Sequence, residues 1–89
     1  MQLEVLTPDK SVFSGEVKLV KVPGSKGSFE IMKDHAAIIS TLTNGEVKIE
    51  PESGETIRYQ ITGGVIEVKM NHVIILAESI KKFNDSKIQ

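Results

Sequence analysis

Cysteine and tryptophan are absent from this 89-residue sequence. Without cysteine there are no disulfides, no thiolate nucleophiles and none of the common cysteine-ligated zinc sites. Long apolar runs are also missing. No segment approaches the roughly 20 residues that span a bilayer, and the N-terminus lacks the basic and apolar regions of a signal peptide. We therefore expect a soluble domain, for which a reducing cytoplasm fits best.

A surplus of positive charge is missing too. Arg58 is the single arginine, and 11 basic residues stand against 12 acidic ones. Nucleic acids and acidic membrane surfaces favour a basic face with a surplus of lysine and arginine, so neither is the expected partner. The hydrophobic fraction of 39% suffices for a modest core. A chain this short leaves little room for a deep, enclosed active site.

The sequence does contain a period-two alternation of apolar and polar residues, which is typical of half-buried strands. Strand-length segments occur at 3–6, 16–22, 46–50, 55–62, 64–70 and 72–78. Many short strands at this spacing predict an all-β sandwich or flattened barrel. The last apolar run, Val73 to Ala77, is continuous, so we expect it to be buried on both faces as in a central strand.

Glycine and asparagine mark the predicted turns, among them "MN" at 70–71. Asn44-Gly45 predicts a type I′ hairpin turn between a strand ending near Leu42 and the next strand. Gly63-Gly64 predicts a sharp bend or bulge where the chain changes sheets. The polar stretch 79–89 predicts a frayed end. We place the domain at residues 1–82 and a short polar tail at 83–89.

Asp34 and His35 stand side by side in the apolar run "FEIMKDHAAIIS" and raise the possibility of chemistry. On a strand their side chains point to opposite faces, and no nucleophile elbow or oxyanion hole accompanies Ser14 or Ser40. His72 is the only other imidazole, and neither histidine belongs to a ligand cluster. We therefore predict no catalytic, metal-binding or cofactor-binding residue. His35 is then either a structural histidine bonded to a backbone carbonyl or a residue of a protein interface.

The loop "GSKGS" at 24–28 resembles a phosphate cradle only superficially. It lacks the spacing of a P-loop, and no helix follows whose N-terminus holds an anion. A two-glycine connection between strands is the simpler interpretation, and its exposed backbone suits contact with another protein.

Six short motifs occur in one order along the chain: "FSG" at 13–15, "VPGSKGSFEI" at 22–31, "HA" at 35–36, "NGEVKI" at 44–49, "GGVIEV" at 63–68 and "NHVIILAE" at 71–78. In this order and spacing the sequence closely resembles the epsilon subunit of F-type ATP synthases. The resemblance covers residues 3–79.

The resemblance implies a ten-stranded β-sandwich that forms the foot of a rotary central stalk. Such a subunit is non-catalytic and binds no cofactor. It fixes the gamma subunit to the membrane c ring of a proton-translocating enzyme and transmits rotation. It lies at the cytoplasmic face of a bacterial inner membrane, held there by the complex without inserting into the bilayer. By position, the gamma-facing surface comprises Thr7, His35, Ala36 and Ser40. The loop facing the c ring comprises Gly24, Ser25, Lys26, Gly27 and Ser28.

Three features differ from the family pattern. The usual "GHAPL" reads "DHAAI" here, beginning at Asp34. The ring-facing loop lacks the acidic residue that some members carry near Ser28. Many members continue into a C-terminal helical hairpin that senses ATP, and this sequence stops near its start. If these residues are the whole subunit, we expect no hairpin-based inhibition and no ATP binding.

Two other classes of function stay open at this point. A free-standing β-sandwich that binds a small ligand is one, although such modules favour exposed aromatic rings, and Phe13, Phe29 and Tyr59 suit the core better. A small hydrolase built on His35 is the other, and it meets the geometric objections given above.

Overall fold

Nine strands form from the alternating segments of residues 1–83, the part of the chain that the computed structural model describes. They are β1 (Gln2–Thr7), β2 (Lys10–Gly24), β3 (Gly27–Met32), β4 (Ile38–Leu42), β5 (Gly45–Pro51), β6 (Ile57–Ile61), β7 (Gly64–Lys69), β8 (His72–Ala77) and β9 (Ile80–Lys82). Within this range there is no helix, and so none long and apolar enough to cross a membrane. The prediction of an all-β fold is confirmed.

The long strand β2 belongs to both layers of the sandwich. Its first half pairs with β1, and its second half lies between β3 and β5. Hydrogen bonds join all nine strands into one continuous sheet, in which β4 also meets β2 at Leu42 and Gly24. We call β2-β1-β8-β7-β4 the first sheet of the sandwich and β3-β2-β5-β6-β9 the second. Each sheet has five strands when β2 is counted in both, which reconciles the nine continuous strands with the expected ten.

The core is entirely apolar. Among the described residues no polar or charged side chain is buried. Phe13 and Phe29 pack against the core from its margin, as predicted, and burial raises the pKa of the Tyr59 phenol. The buried side chains are Leu3, Val5, Val17, Val20, Val22, Ile31, Leu42, Val47, Ile49, Tyr59, Ile61, Ile66, Val68, Val73, Ile75 and Ala77.

Strand β8 corrects one expectation. The run from Val73 to Ala77 is not buried on both faces, because Ile74 is half-buried and Leu76 is 51% exposed. The strand is central in the first sheet, but a two-layer sandwich covers only one face of each sheet. The outer face of β8 is therefore apolar and open.

The predicted type I′ turn at Asn44-Gly45 is wrong. Strand β4 pairs with β7, and β5 pairs with β2 and β6, so this connection passes between sheets. Neither residue has positive φ. Gly45 is required by close approach instead, because a Cβ there would lie 2.7 Å from Cβ of Pro23.

A turn with the φ values of type I′ occurs between β7 and β8. Met70 and Asn71 have φ of 50° and 62°, and they close the hairpin between Lys69 and His72. Such values suit a two-residue hairpin loop. The predicted turn at 70–71 is therefore present.

The bend at Gly63-Gly64 is confirmed. It connects β6 of the second sheet to β7 of the first, and the two residues have φ of 158° and 156°. A Cβ at Gly64 would overlap the carbonyl oxygen of Leu76. Glycine is needed here because two backbones meet where the chain changes sheets.

The C-terminal stretch is more ordered than predicted at its start. Ile80–Lys82 forms β9 and pairs with β6, so the frayed end does not begin at residue 79. The backbone N–H of Phe83 donates to the carbonyl of Arg58 at 2.9 Å. Residues 84–89 of the predicted tail lie outside the described residues, and the domain boundary at 82 stays a prediction.

Replacing Gly64 by alanine is expected to lower the free energy of unfolding by about 2–4 kcal/mol. The new methyl group would overlap the backbone of Leu76, which cannot move aside as a flexible side chain could. Urea denaturation followed by circular dichroism measures the change. Gly15→Ala is the matched control, since a Cβ at Gly15 would lie 3.6 Å from the ring of Phe13, an ordinary contact. Equal stability of the two variants would contradict the close approach at Gly64.

Candidate partner-binding surfaces

The four residues predicted to face gamma do not form one cluster. Ile38 of β4 lies in one cross-strand row with Leu3 of β1. Along β1, Thr7 lies four residues after Leu3, and His35 lies three residues before Ile38 of β4. Since β1 and β4 run in the same direction, Thr7 and His35 lie at opposite ends of the first sheet. Ala36 accompanies His35 in the connection between β3 and β4.

Ser40 lies apart from both ends. It is half-buried on β4, on the side of the strand that faces the second sheet. Together with the predicted ring-facing loop, it borders an open depression of about 570 Å³. The structure therefore brings Ser40 to the loop 24–28, and not to Thr7 or His35.

The loop from Gly24 to Ser28 is braced against β4. The Ser25 backbone N–H donates to the Thr41 carbonyl at 3.1 Å, and the hydroxyls of Ser25 and Thr41 are 2.8 Å apart. Gly24 has no room for a side chain, because a Cβ would lie 2.6 Å from the Phe29 ring. These contacts hold the turn against the sheet and leave Lys26 exposed at its tip.

Asp34 and His35 lie in a loop and not on a strand, so that part of the prediction is wrong. Asp34 has φ of 66°, the left-handed conformation that glycine adopts readily. Its backbone N–H donates to Oδ1 of Asn71 at 2.6 Å, and Nδ2 of Asn71 donates to the Asp34 carboxylate at 3.1 Å. This reciprocal pair holds the backbone where the family pattern has glycine.

The His35 side chain makes the contact expected of a structural histidine. Its Nδ1 lies 2.8 Å from the Ala36 carbonyl, which can only accept, so Nδ1–H donates. The His35 backbone N–H also donates to the Met32 carbonyl at 3.1 Å. The Asp34 carboxylate bonds to Asn71, so the two side chains form no catalytic pair.

We next looked for side chains that could bind a metal ion together in the described part of the chain. No group of three or more histidine, aspartate or glutamate side chains comes together in residues 1–83. The depression next to Leu6, Val65 and Leu76 has a mainly apolar lining. The one beside the loop 24–28 is lined largely by hydroxyl side chains and Lys26.

The fold and its surfaces define a β-sandwich domain with an apolar core, a braced hairpin loop and one sheet face on which Val65 and Leu76 are exposed. Residues 1–83 match the model of the family described as ATP synthase, Delta/Epsilon chain, beta-sandwich domain. The chain belongs to this family. The resemblance found in the motifs, and the sandwich it implied, are confirmed.

Curated relatives agree with the family assignment. The ATP synthase epsilon chain of Chlorobium limicola is 40% identical over 79 residues, which cover 89% of this chain and 90% of that one. The ATP synthase epsilon chain of Chlorobaculum tepidum is 37% identical, with 88% and 89% covered. The epsilon chain of Pelotomaculum thermopropionicum is 36% identical, and the match spans 60% of its length.

Two solved structures share the fold. A chain in the Euglena gracilis mitochondrial ATP synthase (OSCP, F1 and c-ring) superposes with a TM-score of 0.84 at 22% identity. The match covers 90% of this chain and 51% of that one. A chain in the central stalk and c-ring of the Tetrahymena thermophila mitochondrial ATP synthase gives a TM-score of 0.80 at 22% identity, with 100% and 77% covered.

Asn71→Gly is expected to release the loop that carries His35. Glycine keeps the turn conformation but removes both hydrogen bonds to Asp34, so the free energy of unfolding falls by about 1 kcal/mol. Amide hydrogen exchange measured by NMR should show faster exchange at Asp34.

Asn44→Gly is the matched control, since Oδ1 of Asn44 accepts from Nε2 of Gln60 at 2.7 Å, far from this loop. Asp34 should exchange at its wild-type rate in that variant. An unchanged Asp34 rate in Asn71→Gly would show that the pair does not hold the loop.

Proposed function

We propose that this chain is a non-catalytic rotor subunit of the central stalk of a proton-translocating F-type ATP synthase. In this role it fixes the gamma subunit to the membrane c ring and transmits rotation. The family match over residues 1–83 is the observation that carries the proposal. The relative from Chlorobium limicola, named as an epsilon chain and matched over 90% of its length, supports it.

The architecture suits the transmission of torque. Close-packed interiors have low compressibility, so a domain that links two moving parts gains stiffness from a dense apolar core. Here the two sheets share the continuous strand β2, and the chain crosses between them again at Gly63-Gly64. A load applied to one sheet is therefore passed to the other through covalent backbone as well as through packing.

Two regions carry the proposed contacts. Gamma contacts Thr7, His35, Ala36 and Ser40, a set that extends along the first sheet. The c ring contacts the loop from Gly24 to Ser28. Bracing of that loop by Thr41 supports its assignment, because a mobile loop would add compliance between the rotor parts.

The proposed role also implies where the protein is located and whether it binds ATP. The subunit lies at the cytoplasmic face of a bacterial inner membrane, held there by the complex. The bacterial relatives support a bacterial source. The described domain binds no ATP. The free-standing ligand-binding module gains no support from the family match.

Mixing the chain with purified gamma, alpha and beta subunits is expected to give co-elution at about one copy per assembly in size-exclusion chromatography. A permanent stalk contact should bury roughly 2,000 Å² or more in total, enough to survive the column. The alpha and beta subunits without gamma serve as the control and should leave this chain in its own later peak. A lone monomer peak in the presence of gamma would contradict the proposal.

A further inference from the structure

The depression beside the loop 24–28 lies along the open edge of β4. That strand pairs with β7 on one side, and in the described range its other side meets β2 at one residue pair, Leu42 and Gly24. The depression measures about 570 Å³, and both the loop and the β4 edge line it. It therefore lies where the rims of the two sheets come together.

Hydroxyl groups supply hydrogen-bond donors to this depression. Ser25, Ser28, Ser40 and Thr41 all belong to its lining. The hydroxyls of Ser25 and Thr41 lie 2.8 Å apart, and their contact uses one of the two protons, so the other stays available. The Ser40 hydroxyl donates to the Thr41 carbonyl at 3.3 Å, which is longer than the usual distance of about 2.7–2.8 Å. A stronger acceptor in the depression would therefore compete for that proton.

A backbone group of β4 adds to these donors. The Thr41 carbonyl accepts from the Ser25 N–H at 3.1 Å, so it faces the loop. In an antiparallel strand the N–H and C=O of one residue point to the same side. The Thr41 N–H is therefore directed toward the depression as well.

The donors of the loop and of β4 are held in place by the fold. The Thr43 N–H donates to the Pro23 carbonyl at 2.8 Å, next to the bond between Ser25 and Thr41. Gly24 is fixed by its close approach to the Phe29 ring. A site whose groups are already ordered loses less entropy when a ligand binds.

The charge at the depression has one sign. Among the described residues that line it, Lys26 alone is charged, and it makes no ion pair within residues 1–83. A negatively charged ligand is therefore favoured. Planar carboxylates suit the forked guanidinium of arginine, whereas a lysine ammonium is a common point-charge partner of phosphate. Lys26 among several hydroxyl donors thus favours the tetrahedral oxygens of a phosphate group.

Two apolar side chains complete the lining. Ile39 is 74% exposed on β4, and Phe29 is half-buried on β3. Depressions of about 300–1,000 Å³ accommodate small organic ligands, so there is room for a carbon group beside the phosphate. The lining therefore matches a phosphate ester better than a bare ion.

We propose that this depression binds the phosphate group of a phosphate monoester. The Lys26 ammonium and the hydroxyls of Ser40 and Thr41 hold the phosphate oxygens, and the organic group lies against Ile39 and Phe29. Neither a P-loop nor a helix N-terminus takes part, in agreement with the sequence of the loop. The inference goes beyond the proposed stalk function and does not rest on it, because binding is a property of the chain by itself.

The first experiment is an NMR titration of the chain with glycerol 3-phosphate at constant ionic strength. The amides of Ser25, Lys26 and Thr41 should shift saturably, with a dissociation constant of about 1 mM, as for a few exposed polar contacts. Lys26→Gln should weaken binding by about tenfold, since it removes the only charge at the site. Lys10→Gln is the matched control: it removes an exposed lysine outside the depression, and its affinity should stay within about twofold of wild type.

A second pair of variants tests the hydroxyl donors. Ser40→Ala should weaken binding of glycerol 3-phosphate by about threefold to tenfold, the loss expected for one hydrogen bond to a charged group. Ser11→Ala removes an exposed hydroxyl from β2, outside the depression, and should bind as wild type does. Equal affinity of the two variants would remove Ser40 from the site and contradict the proposed geometry.

Vesicle sedimentation distinguishes a soluble ester from a lipid headgroup, since both carry the same phosphate chemistry. Neutral phosphatidylcholine vesicles are compared with vesicles that also contain phosphatidic acid. If only the latter retain the wild-type chain, and Lys26→Gln abolishes retention, the phosphate belongs to a lipid. If glycerol 3-phosphate binds and neither kind of vesicle retains the chain, the ester is a soluble one. Both results support a phosphate site.

Three results would overturn the inference. One is the absence of saturable binding to both glycerol 3-phosphate and phosphatidic acid vesicles. Another is wild-type affinity in Lys26→Gln. The third is acetate binding as tightly as glycerol 3-phosphate, which would show that the depression accepts any anion. None of these results bears on the stalk function, which the co-elution with gamma tests separately.

Discussion

The continuity of β2 through both sheets is the constraint on which the rest of the structure depends. One strand of 15 residues pairs with β1 along its first half and with β3 and β5 along its second. Because one strand belongs to both sheets, its position fixes how the two sheets pack on each other, and its side chains Val17, Val20 and Val22 are buried in the core between them. The end of β2 also starts the loop that Thr41 braces, and its Pro23 presses against Gly45. Core, loop and sheet crossing are thus set by one element.

The fold was largely predictable from the sequence, and the predictions that were wrong have physical causes. Period-two alternation located most strands, since a half-buried strand must alternate. The prediction of a hairpin turn at Asn44-Gly45 was wrong because this residue pair is typical of such turns. In the structure the glycine is required for another reason, its close packing against Pro23. The run from Val73 to Ala77 misled in another way. Its outer residues Ile74 and Leu76 are apolar although that face of the sheet is not covered, so hydrophobicity did not indicate burial here.

The contact surfaces were less predictable than the fold. The family pattern grouped Thr7 with His35. Their separation follows from the parallel pairing of β1 with β8 and the register of β8, β7 and β4, which the sequence alone does not give. Asp34 shows how a departure from a family pattern is accommodated: a left-handed backbone is kept, and Asn71, 37 residues away, supplies the hydrogen bonds. Leu6, Leu76 and Val65 become neighbours only through the register of β1, β8 and β7, which the sequence does not show.

A shared β2 makes the two sheets one cooperative unit, as a domain that transmits torque requires. Native-state hydrogen exchange tests this claim most directly. The account predicts that core amides of β8 in the first sheet and of β5 in the second exchange with the same free energy of opening, equal to that of global unfolding. A sheet whose core amides open at a free energy lower by about 2 kcal/mol or more would contradict the claim, because the layers would then unfold separately.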